Sequence, residues 1–192
     1  DTLVIFRYTF ENGRGIFKST DDGKSFPVSQ LLSEALTNSD NNALNSLMDF
    51  LTVEEINDTC HAYGFTSVDI QRKLMVGSSD LENYISAKDA AMMLNAVYQD
   101  NFTGIGKAFL ESNFKISAVD TANQGMYPAC GGCDTFLNLN GITDSRYNEI
   151  GLIQNGDEVF ILSVLTCNGD AATSAAAVTT LTSYVTSTLQ EQ

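Results

Sequence analysis

Basic residues are scarce in this chain: ten Lys and Arg stand against 24 Asp and Glu in 192 residues, a formal net charge of −14. Too few cations are available to release counterions from a phosphate backbone, which excludes nucleic acid as a partner. Long apolar runs are also missing. No stretch of about 18 hydrophobic residues exists, so no membrane span is expected. The nearest approach, Ala171 to Gln190, is uncharged but carries nine Ser and Thr hydroxyls and reads as a soluble helix. Histidine is limited to His61, which reads as a surface or capping residue, and no metal or cofactor is expected. There is no initiator Met, no signal peptide, no internal repeat and no low-complexity linker; beginning at Asp1, the chain reads as a processed or trimmed product.

What is present has ordinary globular composition, 43% hydrophobic and 18% charged. The length suits one core or two small lobes. High acidity, abundant Thr, Ser and Asn, and an even number of cysteines lean towards an exported, extracellular or cell-surface protein. Pairing among Cys60, Cys130, Cys133 and Cys167 stays open. Cys130-Gly131-Gly132-Cys133 reads as an irregular loop, where a local disulfide or free thiols are expected rather than a redox or zinc motif.

The patterning changes once along the chain. Thr2 to Phe10 is β-branched and aromatic and reads as a strand or extended segment. Pro27 suits a first helical turn, with Val28, Leu31, Leu32, Ala35 and Leu36 at helical spacing. After a break at Asn38-Ser39-Asp40, Ala43, Leu44, Leu47 and Met48 define a second helix. Thr52-Val53-Glu54-Glu55 has capping-box form and opens a third, ending near Gly64. Ser86 opens a helix through Tyr98, with Met92, Met93, Leu94 and Val97 as core candidates, and a shorter one is expected over Phe102 to Phe114. Beyond Ser117, Phe136 to Ile142, Tyr147 to Gln154 and Glu158 to Thr166 read as strands, the last two joined by a turn at Asn155-Gly156. A closing helix puts Ala177, Val178, Leu181, Tyr184 and Val185 on one stripe. The expected fold is α+β: a mainly helical lobe over residues 1–116, then an antiparallel meander with a helix packed on it over 117–192.

Ser39-Asp40-Asn41 lies between two helices in LLSEALTNSDNNALNSLMD. Alone, such a tripeptide reads as a helix cap. With the Leu31-Leu32 helix before it, an Ala-bearing helix after it, and Glu82-Asn83-Tyr84-Ile85-Ser86-Ala87-Lys88-Asp89 leading into another helix, the chain resembles the serine β-lactamase and penicillin-binding peptidase family. The three strands and closing helix also fall in that family's order. The resemblance implies acyl transfer: a Ser-x-x-Lys nucleophile, an SDN serine that relays a proton to the leaving nitrogen, an SDN asparagine that steadies the substrate amide, and a Lys-Thr-Gly strand that binds the substrate carboxylate. Carried over, Ser39 and Asn41 take the catalytic SDN roles, in vestigial form. Asn140 and Gly141 fall on the substrate strand and are candidate substrate-binding residues.

Two departures bear on activity. No Ser-x-x-Lys precedes Ser39, and the region matching the family's first strands and nucleophile helix is expected to be absent. The one match, Ser112-Asn113-Phe114-Lys115, lies on the wrong side of Ser39 and is rejected. The strand triplet reads Leu139-Asn140-Gly141, with Leu where the family has Lys; Arg146, across the expected turn, is the nearest cation and the third substrate-binding candidate. Glu82 does not meet the ExxLN spacing of the family's deacylating carboxylate. Three functions compete: a catalytically inactive binding or scaffold module of the cell envelope, a serine hydrolase of β-lactams or D-Ala-D-Ala peptides whose nucleophile segment lies outside this chain, and a plain structural domain. Expected ligands are peptidoglycan peptide or a β-lactam. The apolar strand Val159 to Leu165 also leaves a sheet edge that Thr2 to Phe10 or a second copy, as a homodimer, is expected to cover.

Overall fold

A computed structural model of the chain describes residues 2–10, 15–76, 80–102, 106–114, 125–130 and 132–190. Its fold is α+β, in two compact units, Asp1–Ile85 and Ser86–Gln192. The expected boundary after residue 116 lies outside the described residues.

In the first unit β1 (Leu3–Ile5) pairs antiparallel with β2 (Ser25–Pro27), in register Val4 to Phe26. Three helices follow: α1 (Val28–Thr37), α2 (Asn41–Leu51) and α3 (Val53–Ala62). Pro27, with its fixed φ, stands one place before α1 rather than inside its first turn. The core gathers Val4, Phe6, Phe17, Leu31, Ala43 and Leu47. Phe6 and Phe17 stack with centroids 4.6 Å apart, and Phe26 meets Phe17 at 4.7 Å. Burial of each large apolar side chain contributes roughly 1.5–3 kcal/mol.

The sequence suggested a strand over Thr2 to Phe10, yet ladder pairing covers three of those residues. Beyond Phe6, polar side chains of neighbouring segments replace the ladder. Arg7 N–H donates to Ser46 Oγ at 2.9 Å, Tyr8 N–H to Asp22 Oδ1 at 3.0 Å, and Thr9 and Phe10 N–H to Asn42 Oδ1 at 2.7 and 3.0 Å. This segment belongs to a two-stranded sheet with β2, so it does not cover the edge of the three-stranded sheet as expected.

The second unit contains α4 (Ala87–Tyr98), α5 (Lys107–Asn113), a short 3-10 helix (Tyr127–Cys130), the meander β3 (Thr135–Thr143), β4 (Arg146–Asn155) and β5 (Glu158–Val164), and α6 (Ala171–Gln190). The sheet order is β3-β4-β5, both pairs antiparallel. Register places Phe136 with Ile153 and Gly151 with Leu162 on one face, where Met126, Tyr147, Ala175 and Val178 form a core under α6. The opposite face presents Val159 and Ile161 to α4. Helices on both faces explain why β5 reads as a nearly continuous apolar run.

Three details differ from the sequence reading. The β4–β5 turn is centred on Gly156-Asp157, because Asn155 pairs with Glu158, and Gly156 has φ +59°. On α6 the buried stripe is Ser174, Ala175, Val178 and Thr182, while Leu181 and Tyr184 are exposed. Thr182 tolerates burial because its hydroxyl donates to Val178 O at 2.8 Å, leaving no unsatisfied donor. Met92, expected in the core, is exposed, and Leu94 and Ala90 take the buried face of α4.

Candidate functional site

Ser39 sits in the tight passage between α1 and α2 with φ 52°. Positive φ in a residue with a Cβ is costly and persists only when neighbouring structure holds it. Asp40 supplies that hold. Its carboxylate is buried, with Oδ1 accepting Ala43 N–H at 3.0 Å as the α2 N-cap and Oδ2 accepting Phe17 N–H at 3.0 Å. Asp40 N–H in turn donates to Glu34 O at 3.2 Å, tying the turn back to α1. Gly15 lies flat against this carboxylate: a Cβ there would stand 2.1 Å from Asp40 Oδ2. Asn41 follows as the first residue of α2, half-buried like Ser39. The middle residue of the triplet is therefore the structural cap, and Ser39 and Asn41 are the residues it presents.

Two residues of α2 not singled out from the sequence complete this region. Asn42 clasps the extended segment, accepting Thr9 and Phe10 N–H and donating Nδ2 to Phe10 O at 3.0 Å. Asn45, fully buried, holds the main chain of Leu74 by both its groups, Nδ2 donating to Leu74 O at 2.9 Å and Oδ1 accepting Leu74 N–H at 2.8 Å. Their sequence signal was available: Asn42, Asn45 and Ser46 interrupt the apolar stripe of α2 with uncharged polar groups able to pair with a backbone.

Thr52, His61, Glu82 and Ser112 have structural roles. Thr52 Oγ1 caps α3 by accepting Glu55 N–H at 3.2 Å. His61 Nε2 lies 2.7 Å from Val68 O, joining the end of α3 to the loop after it. Glu82 lies 3.4 Å from Arg72 Nη2. Lys115 of the rejected Ser112 motif lies outside the described residues, and Ser112 donates to Ala108 O at 2.8 Å within α5.

The second-unit candidates line β3 and its turn. Asn140 pairs with Glu149, Gly141 with Asn148, and Arg146 stands opposite Thr143. Alternation puts Asn140 and Gly141 on opposite faces of the sheet. Gly141 is exposed, with open space where a side chain would stand, so packing does not require glycine there. Leu139 is half-buried beside Ile150. β3 is an edge strand, leaving its outer backbone groups without a ladder partner among the described strands.

A buried polar cluster behind this strand was not anticipated. Glu149, 2% exposed, accepts Met126 N–H at 2.8 Å and Asn138 Nδ2 at 2.7 Å. A Cβ on Gly125, where φ is +68°, would stand 2.1 Å from Glu149 Oε2 and 2.3 Å from the Tyr147 hydroxyl. Asn138 Oδ1 is buried without a partner. The Cys130 thiol nearby is pushed up to about 12 by burial, and further by the Cys133 thiol and the Glu149 carboxylate. All four cysteines are free thiols. Among the described residues no group of three or more His, Cys, Asp and Glu could hold a metal ion, and no helix is long and apolar enough to cross a membrane.

The model of the beta-lactamase enzyme family matches residues 1–108. No curated protein matches the chain. Among solved structures, a β-lactamase from Sphaerobacter thermophilus superposes with a TM-score of 0.79 at 18% identity, over 97% of this chain and 73% of that one. PBP-A superposes at 0.81 with 13% identity, over 100% and 72%. A class A β-lactamase from Mycobacterium abscessus gives 0.73 at 19% identity, over 90% and 68%.

Proposed function

The chain belongs to the beta-lactamase enzyme family, whose model spans more than half of it, and we propose that it is a binding or scaffold module of the cell envelope that recognises β-lactams or D-Ala-D-Ala-type peptide ends without being acylated through these 192 residues alone. The Ser39 turn carries this reading. A strained, half-buried Ser39 and an adjacent Asn41 at a helix N-terminus are held by a fully buried Asp40, an arrangement that orients two side chains towards an amide or carbonyl ligand. In the second unit, taken by itself, Asn140, Gly141 and Arg146 are proposed as peptide contacts, since the outer backbone of β3 has no ladder partner among the described strands and suits an extended peptide.

The non-catalytic half of the reading rests on chemistry. Within residues 1–192 no Ser-x-x-Lys precedes Ser39, and Leu139 brings no charge to β3. Groups that act as one catalytic unit lose most of their rate when a single member is missing. The reading includes a location outside the cell or at its surface, supported by the acidity and the abundant Ser, Thr and Asn.

The second reading is a serine hydrolase completed by a nucleophile segment outside these residues. It is favoured by the intact Asp40 cap and by the likeness to a PBP-A variant described as an acyl-enzyme complex with penicillin G. Intact-mass measurement after incubation with a penicillin separates the two. The proposal expects no mass increase, together with ligand-detected NMR saturation that weakens about fivefold in Ser39→Ala or Asn41→Ala, the loss of one hydrogen bond. A covalent penicilloyl adduct on this chain, or lactam opening well above the rate in water, would overturn it.

A further inference from the structure

Cys130 and Cys133 take no part in the reading above, and their surroundings are built. Cys133 N–H donates to Cys130 O at 2.9 Å. A bond from residue i+3 back to residue i keeps the two Cα atoms within about 7 Å, near the span that a disulfide bridges. The Cys133 thiol is among the groups that push the Cys130 thiol up, after burial. Gly132 is exposed and nothing lies within 4 Å of where its side chain would be, so no packing demand explains the glycine.

The pair is asymmetric. Cys130 is 6% exposed, at the end of the 3-10 helix that packs on α6, whereas Cys133 is half-buried just before β3. Both sides of the turn are anchored to β4 or to the turn that follows it. Met126, at the foot of the 3-10 helix, is held by Glu149, and Asp134, next to Cys133, donates its N–H to Gln154 O at 2.9 Å and accepts Gly156 N–H at 2.7 Å. A covalent link between the sulfurs would therefore join the α6-packed helix to the entry of β3.

We propose that Cys130 and Cys133 are a reversible dithiol–disulfide staple, oxidised by a small-molecule disulfide through attack by Cys133 and resolution by Cys130. The Cys133 thiolate attacks one sulfur of the oxidant, the oxidant's S–S bond breaks, and one thiolate leaves. Cys130 Sγ then attacks Cys133 Sγ, and the mixed disulfide breaks. The second oxidant thiolate leaves with the Cys130 proton. The protein loses two electrons and two hydrogens, and the oxidant becomes two thiols. The order follows from access and charge: burial and the Glu149 carboxylate disfavour a Cys130 thiolate as first attacker.

The test uses the full chain in buffers of graded reduced-to-oxidised glutathione ratio, with remaining thiols alkylated before intact-mass and peptide analysis. Expected is loss of two hydrogens, mapped to one peptide containing both cysteines, with no retained glutathione at those positions. Cys130→Ala should instead hold a stable glutathione adduct at Cys133, and Cys133→Ala should leave Cys130 unmodified over the same time. The oxidised wild type should melt a few degrees above the reduced form, a difference absent from the double alanine variant. Pairing of either residue with Cys60 or Cys167, a persistent adduct at Cys133 in the wild type, or glutathione uptake by Cys130 in Cys133→Ala at the wild-type Cys133 rate would overturn the proposal. So would an unchanged or lowered melting temperature on oxidation.

Discussion

Asn45 holds Leu74 by both ends of one peptide residue, as a neighbouring strand would, from the buried face of α2. Among the described residues, the loop that contains Leu74 has one regular pairing, a bridge between Asp69 and Tyr84. A side-chain amide therefore substitutes for secondary structure. Asn45→Ala leaves Leu74 N–H and C=O unpaired and should cost roughly 2 kcal/mol or more, read as a lowered denaturant midpoint with unchanged slope. A loss below about 0.5 kcal/mol would show that the clasp contributes little.

Gly15 and Gly23 offer a matched comparison, since both have positive φ, +132° and +80°. At Gly23 an added Cβ meets nothing within 4 Å, so Gly23→Ala carries the backbone cost alone, about 1 kcal/mol. At Gly15 the Cβ would strike the Asp40 carboxylate that caps α2 and holds Phe17. Gly15→Ala should be the more damaging by at least about 2 kcal/mol, and should weaken any ligand signal that depends on Ser39. Equal losses in thermal melts of the two variants would contradict the cradle.

Glu149 offers oxygen acceptors to two buried donors, Met126 N–H and Asn138 Nδ2. In Glu149→Gln one oxygen becomes an NH2 that faces a donor with a donor. A cost of about 2–3 kcal/mol is expected in chemical denaturation, together with faster hydrogen exchange at Met126. Substitution with no change in exchange would remove Glu149 as the anchor of the 3-10 helix.

Acid should loosen α6 through Asp170. Its carboxylate sits below the usual range because Thr173 donates its backbone N–H to it, at 2.9 Å, at the start of the helix. A depressed folded value means the contribution is complete above about pH 4, the unfolded aspartate value, and is lost as pH falls through the lower folded value. Asp170→Asn should flatten that part of the stability–pH curve below about pH 4, with a small loss of stability at pH 7, where the carboxylate's contribution is complete, and convergence with wild type in acid. A parallel wild-type slope in the variant would assign the acid loss elsewhere.

Alkaline conditions should act in the opposite sense through Cys130. With its folded value pushed up to about 12 by burial first, the thiol stays protonated while the unfolded chain ionises. Stability is therefore full below about pH 8.5 and falls as pH rises towards 12. Iodoacetamide at pH 8.5 should label the exposed Cys167 well before Cys130. Equal labelling rates would mean that Cys130 is not shielded.

Much of the architecture was readable from local chemistry. Helix starts at Asp40, Thr52 and Ser86 were visible because capping is a short-range interaction between a side chain and an N–H three residues on, and all three form it. The three strands of the meander were visible because their apolar spacing and turns repeat over a few residues. The edge of α6 was misread because Ser and Thr hydroxyls can satisfy themselves on the preceding helical turn, which lets Ser174 and Thr182 be buried while Leu181 and Tyr184 face out. Apolar spacing alone does not distinguish these arrangements.

At the candidate site the division is sharper. The sequence by itself determined the α+β class, the net charge of −14, and the Ser39-Asp40-Asn41 triplet with Leu139 in its strand, since these are matters of residue type and short spacing. Only the tertiary structure decided that Gly15 lies against Asp40, that Asn42 and Asn45 hold segments more than 25 residues away, and that Glu149 is buried between Met126 and Asn138. Each of those depends on which distant backbone arrives unpaired beside a polar side chain. Chain topology settles that, and local propensity carries no record of it.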